Sequence, residues 1–304
     1  MNGKIRIGLI GDLHGSWDDW DTRYFSASDY DLLLFVGDLG SSAGDNGVRI
    51  ARSIGRIDKR ALVMPGNNDA RHGPRIAAEF GHQRGLWALR RVNASLGTRP
   101  PSESSGQVRL CGYSVHTFEI AGRAISVLAA RPYARGGGEL SFPERLAASY
   151  GIESMEASRE KLRQLVDACS TDALILLAHN GPTGLGAAQT DLWGCDFRAE
   201  EGDWGDPDLA DCIAYASSRG KQVLAVLAGH MHSPTRGRGH SSLARPSARF
   251  DRAWQATRGG TLYVNPARVP RIWEDADAKY RHHVELEIDA EGAHVREIVV
   301  REST

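Results

Sequence analysis

Lys4-Ile5-Arg6-Ile7-Gly8-Leu9-Ile10-Gly11-Asp12-Leu13-His14 is the stretch around which the rest of the chain can be read. Ile5, Ile7 and Leu9 alternate with their neighbours and the run then turns continuously apolar, as a strand entering a buried sheet does. It stops at Gly11, and the next residues set a carboxylate and an imidazole two positions apart. In extended geometry residues i and i+2 point the same way, so Asp12 and His14 are placed to grip one ion at the strand's end. Alone, Asp-x-His says little, because a turn aspartate beside a surface histidine is spelled identically. The chain repeats the device four more times.

Asp31–Val36 reads as a buried strand closed by Gly37-Asp38, and Arg60–Met64 as another closed by Pro65-Gly66-Asn67-Asn68-Asp69. Ala173–Ala178 ends at His179-Asn180-Gly181-Pro182, and Val223–Ala228 ends at Gly229-His230-Met231-His232. Helices are expected over Trp17–Phe25, Gly47–Ile57, Ser154–Cys169 with Ser154 as its cap, and onward from Pro207. Such alternation predicts βαβ units and a mainly parallel sheet. Tyr113–Ile120 and Ala124–Ala129 read as a hairpin turning at Ala121-Gly122, and Thr261–Asn265, His282–Ile288 and His294–Val300 as closing strands. In open α/β sheets ligands sit at the carboxyl ends of strands, so Asp12, His14, Asp38, Asn67, His179, His230 and His232 can converge on one cleft. Imidazole, carboxylate and amide oxygen suit zinc, iron(II) or manganese, and the lack of thiolates argues against a structural zinc site.

With 304 residues, 41% of them hydrophobic and 25% charged, the chain can bury a sizeable core. The expectation is one domain over 1–304, with a cap insertion at 82–112 and a mobile arginine-rich loop at 233–258. The formal charge of −1 gives no global pull toward nucleic acid or an anionic membrane. Cys111, Cys169, Cys195 and Cys212 form no Cys-x-x-Cys pair and are expected as reduced thiols in a cytoplasmic protein. No signal-peptide core precedes the first strand, and the longest apolar runs are far too short to span a bilayer.

Asp-x-His, Gly-Asp, Gly-Asn-x-Asp, a strand-end His and Gly-His-x-His, in that order from Lys4 to about Asn265, resemble the calcineurin-like metallophosphoesterases. Arg131-Pro132 and His179-Asn180-Gly181-Pro182-Thr183-Gly184-Leu185-Gly186 further resemble a little-characterised branch found mostly in photosynthetic organisms. The resemblance implies an α/β sandwich of two mixed sheets flanked by helices, holding two divalent transition-metal ions. Asp12, His14 and His232 would take one; Asn67, His179 and His230 the other; Asp38 would bridge them. Such a pair, about 3.5–4 Å apart, deprotonates a water for in-line attack at phosphorus.

One position departs from the family pattern. Asn68 stands where the family usually has a His credited with protonating the leaving oxygen, and a carboxamide cannot give up a proton near neutral pH. A lost general acid typically removes roughly 10²–10⁴-fold in rate. Active phosphodiesterases without that His are nevertheless known, so the implied activity is a phosphodiesterase acting on a small organic or nucleotide diester. A phosphomonoesterase, a nuclease served by the arginine run, and a non-catalytic metal-binding scaffold are the competing readings. Asp69 could orient an imidazole at position 68, His72 could replace the missing acid, and Arg131 could clamp a phosphate oxygen. The acidic loop from Asp191 to Asp208 reads as solvated, and His282, His283 and His294 as structural.

Overall fold

The alternation at the start of the chain becomes strand β1 (Ile5–Ile10), whose Ile5, Ile7 and Leu9 face one core while Ile10 faces another. A computed structural model describes residues 3–41, 46–82, 108–235 and 251–302. After β1 come α1 (Asp19–Ala27), β2 (Leu32–Phe35), α2 (Asn46–Ile54), β3 (Ala61–Val63), a helix α3 over 73–82, and β4 (Val108–Leu110). Then follow the hairpin β5 (Ser114–Ile120) and β6 (Arg123–Ala129), α4 (Pro143–Tyr150), α5 (Met155–Ala168), β7 (Ala173–Leu177), α6 (Pro207–Ser218) and β8 (Gln222–Leu227). The chain closes with β9 (Ser233–Pro234), β10 (Gln255–Arg258), β11 (Thr261–Val264), β12 (Arg268–Val269), β13 (Ile272–Glu274), β14 (Lys279–Ile288) and β15 (Ala293–Glu302).

These strands form two large mixed sheets. The first runs β13-β14-β1-β2-β3-β4, with β15 added against β14; the second runs β10-β11-β8-β7-β6-β5. In the first, β1 to β4 are parallel and the β13-β14-β15 side is antiparallel; in the second, the central strands are parallel and both margins antiparallel. Ile7, Leu9, Leu34 and Val36 from the first sheet meet Val127, Ile175, Leu177 and Leu227 from the second in a shared apolar layer. Alternate residues face outward: Leu33 and Phe35 pack with Phe25, Ile50 and Ile54 of α1 and α2, and Leu174 and Leu176 with Leu162, Val166 and Leu209 of α5 and α6. Period-2 patterning on strands and near-100° patterning on helices therefore yield a four-layer α/β sandwich.

Local signals place the elements well. Ser154 caps α5 by accepting the Ala157 N–H, Pro207 opens α6, and the hairpin turns at Ala121 and Gly122, both with positive φ. Two expectations change. The tail of the supposed cap at 82–112 is core: Val108 is buried in β4, which extends the sheet beside β3, while 83–107 lie outside the described residues. The supposed mobile loop at 233–258 is ordered at both ends, through β9, β10 and a buried Arg252, and 236–250 lie outside the described residues. The four cysteines are buried and free, and among the described residues no helix is long and apolar enough to cross a membrane.

Candidate metal centre

The carboxyl ends of β1, β2 and β3 in one sheet and of β7 and β8 in the other meet at one end of the sandwich. Asp12, just past β1, is fully buried; its Oδ2 accepts the His230 N–H at 3.1 Å and lies 2.7 Å from His232 Nε2. Its Oδ1 is buried with no hydrogen-bond partner among the described residues. His14 Nε2 is 3.1 Å from His232 Nε2 and 4.0 Å from Asp12 Oδ2. Asp12 and His14 do meet, but not as successive teeth of an extended strand: the backbone turns through φ 44° at His14. One donor atom each from Asp12, His14, Asp38 and His232 lies within 4.8 Å of the others.

Asp38 is aimed both ways. Its Oδ2 is 3.7 Å from His14 Nε2 and its Oδ1 is 3.6 Å from His179 Nε2. The second half is built around His179, whose Nδ1 sits 2.8 Å from the Val36 carbonyl. A carbonyl only accepts, so Nδ1 carries a proton and Nε2 is the ring atom turned toward the cluster. That atom faces Asn67 Oδ1 at 3.0 Å. His230 stands with its ring centroid 5.1 Å from His179, and its Nε2 donates to the Arg135 carbonyl at 2.9 Å, leaving Nδ1 as its free ring nitrogen.

These residues fit a divalent cation. A buried carboxylate oxygen without a donor is costly in a dry interior unless a positive charge lies against it. The electrostatics agree. Burial opposes the charge on Asp12, but His232, His179 and His14 hold its carboxyl well below the usual range. Burial and His179 push His230 down to about 3, which keeps its ring a neutral donor of lone pairs.

The other expected residues divide. Asn68 is at the centre: its backbone N–H donates to Asp38 Oδ1 at 2.8 Å and its carboxamide donates to Asp38 Oδ2. Asp69 is buried and accepts the N–H groups of Leu39, Gly40 and Gly66, so it ties the loop after β2 to the loop after β3. Burial and the neighbouring Asp38 push its pKa up to about 7. His72 is partly exposed, its N–H donates to Asp69 O, and its side chain does not line the cleft. Arg131 does not line the cleft. It is buried in ion pairs with Asp206 at 2.9 Å and Asp208 at 2.9 Å, and Asp206 in turn accepts from Asn180, the residue after His179.

The cleft is about 120 Å³ and is lined by Asp38, Asn67, Asn68, His230, Met231 and His232, together with Asp196 and Phe197 from the acidic loop. That loop is not the solvated segment its composition predicts. Asp196, Asp206 and Asp208 are buried, and Arg252 reaches across to hold it: Nη2 on Asp196 at 2.9 Å, Nη1 on the Asp191 and Gly194 carbonyls, Nε on the His232 carbonyl. Sequence reasoning misses Asp196, Phe197 and Arg252, since the pairing spans 56 positions and leaves no local signal.

The profile of the calcineurin-like phosphoesterases matches residues 5–234. A crystal structure from Thermus thermophilus aligns with a TM-score of 0.52 at 14% identity, over 97% of this chain and 99% of its own. A dimetal phosphatase from Danio rerio aligns with a TM-score of 0.49 at 12% identity, over 98% of this chain and 99% of its own. No curated protein sequence matches significantly. The structural likeness speaks for the fold alone, whereas the profile runs from β1 through the last of the clustered histidines, and on that ground this chain belongs to the calcineurin-like phosphoesterases.

Proposed function

We propose that the protein is a dinuclear-metal phosphodiesterase acting on small phosphate diesters. Asp12, His14 and His232 would hold one divalent transition metal, Asn67, His179 and His230 a second, and Asp38 would reach both, with manganese, iron or zinc as the ions suited to this donor set. Bound metals supply an activated water and offset the charge that develops at phosphorus. The chain's own contribution is positional: Asn68 holds both Asp38 oxygens, Asp69 ties the two loops that carry Asp38 and Asn67, and the Val36 carbonyl fixes the His179 tautomer.

The observation that carries the diester preference is the setting of Asn68. Its carboxamide lines the cleft, is spent on Asp38, and has no ionisable proton to give to a departing alkoxide. Leaving groups that depart as stable anions are therefore favoured, and unactivated alkyl monoesters are poor substrates. The test is the dependence of kcat/KM on leaving-group pKa for manganese-loaded wild type and Asn68→His. Asn68→His is expected to help alkoxide leaving groups by at least tenfold more than nitrophenolate and to add an acidic limb near the His pKa. The same dependence in both proteins, or faster wild-type turnover of alkyl monoesters than of aryl diesters, overturns the reading.

A further inference from the structure

The cleft carries an aromatic side chain that the clustered donors do not use. Phe197 is 49% exposed, and among the described residues only one other large apolar side chain, Val299, is left as open. Val299 lies on β15 of the other sheet, whereas Phe197 lines the same cleft as Asp38, Asn68, His230 and His232. A single exposed ring is ordinary on a protein surface; what sets this one apart is its place on the cleft that the clustered donors line.

The ring is held in position. Asp196, the residue before it, is fixed by Arg252, which also grips the carbonyl of His232, so the ring's anchor and a candidate metal donor share one guanidinium. On its other side Trp204 meets Phe197 edge to face, with ring centroids 5.3 Å apart and an interplanar angle of 86°. Trp204 is itself seated: its Nε1 donates to the Arg135 carbonyl at 2.6 Å, the same carbonyl that receives His230 Nε2. It also packs so closely on Gly136 that a Cβ there would come within 2.3 Å of its indole. Gly136 thus makes room for this indole.

We propose that Phe197 is the stacking platform for a nucleobase carried on the ester group that remains with phosphate, which makes nucleoside phosphodiesters the substrate class. The proposal rests on the phosphodiesterase reading above. The cleft of about 120 Å³ is sized for the phosphate, so a base would lie on the open ring at its rim; apart from Phe197 only Met231 is apolar there, too little for a lipid tail. Every base has a π-face, and stacking on a fixed aromatic ring commonly changes affinity by about tenfold.

Thymidine 5′-(p-nitrophenyl) phosphate and methyl p-nitrophenyl phosphate share a leaving group and differ in the group that stays. With manganese-loaded protein, KM should favour the thymidine ester, and the preference should shrink about tenfold in Phe197→Ala and return in Phe197→Trp, with kcat moving less than KM. An equal KM rise on both esters overturns the assignment, because the ring would then support only the common part of the substrate or the fold. Calorimetric binding of thymidine 5′-monophosphate against ribose 5-phosphate separates this proposal from the one beneath it. If neither ester is cleaved but the nucleotide binds about tenfold tighter and Phe197→Ala erases the difference, the platform stands and the phosphodiesterase reading falls. Equal affinities for the two ligands in wild type overturn the platform.

Discussion

Arg252→Met should be among the most damaging single changes outside the donor set. Methionine keeps most of the stem's length and removes four hydrogen bonds: to Asp196 Oδ2, to the Asp191 and Gly194 carbonyls, and to the His232 carbonyl. Both side chains of the Arg252–Asp196 pair are 1% exposed, so water does not screen the carboxylate left behind. Breaking a buried pair from one side costs about 3–5 kcal/mol. For a chain of 304 residues, an unfolding entropy near 2.1 cal/mol/K per residue makes that a fall in Tm of about 5–8 °C. Differential scanning calorimetry on wild type, Arg252→Met and Arg252→Met/Asp196→Leu at matched metal loading measures it. The double variant should recover about half the loss, because no charge is stranded and only the carbonyls go unpaired. A single variant melting within 2 °C of wild type, or a double variant worse than the single, refutes the account of Arg252 as the anchor of the acidic loop.

Three further outcomes follow. Asp38→Ala should reduce bound metal from about two ions per chain to less than one, with near-complete loss of activity and the fold retained, while Gly229→Ala should empty chiefly the Asp12 half, since a Cβ there would lie 2.1 Å from Asp12 Oδ1. Elemental analysis after loading decides both, and full occupancy in either variant counts against the site. Glu297 is held by His282 and Arg268, which pull its pKa down to about 2. Because that lies below the ordinary value of 4.5, the carboxylate adds stability above about pH 4.5 and loses it as pH falls toward 2. Glu297→Gln should therefore lower the urea midpoint at pH 7, with the gap narrowing below pH 4.5 and closing only near pH 2; a gap independent of pH refutes it.

What the sequence made legible was whatever short-range chemistry determines. Strand ends announce themselves because apolar runs stop abruptly at Gly-Asp, Gly-Asn or Gly-His, and Ser154 and Pro207 mark helix starts through their own backbone chemistry. Helix α4 leaves little trace in the sequence although Pro143 opens it, since only Leu146 of its eight residues is buried and the apolar stripe is thin. Strand β4 falls inside the expected cap because three residues are too few for an alternating pattern to show. The donor set could be gathered by position along the sheet, but the roles of Arg131 and Arg252 could not. A charged residue reads as a surface residue until folding brings its counter-charge to it, from position 208 for Arg131 and from 196 for Arg252.

Three of the clustered donors, His14, Asp38 and His230, sit at φ 44°, 46° and 69°, in the left-handed region that most side chains avoid. Histidine, aspartate and asparagine tolerate it better than other non-glycine residues, and β-branched or bulky side chains tolerate it worst. The backbone therefore acts as a filter on the alphabet of donors this centre can evolve or be given. Converting it to a softer, thiolate-rich site would place cysteine at turns that penalise it before any metal arrives. Glycine at those turns would relax the chain by about 1 kcal/mol apiece while deleting the donor. Selectivity for a different ion is thus easier to reach through Asn67, whose φ is ordinary, than through the three residues that shape the turns.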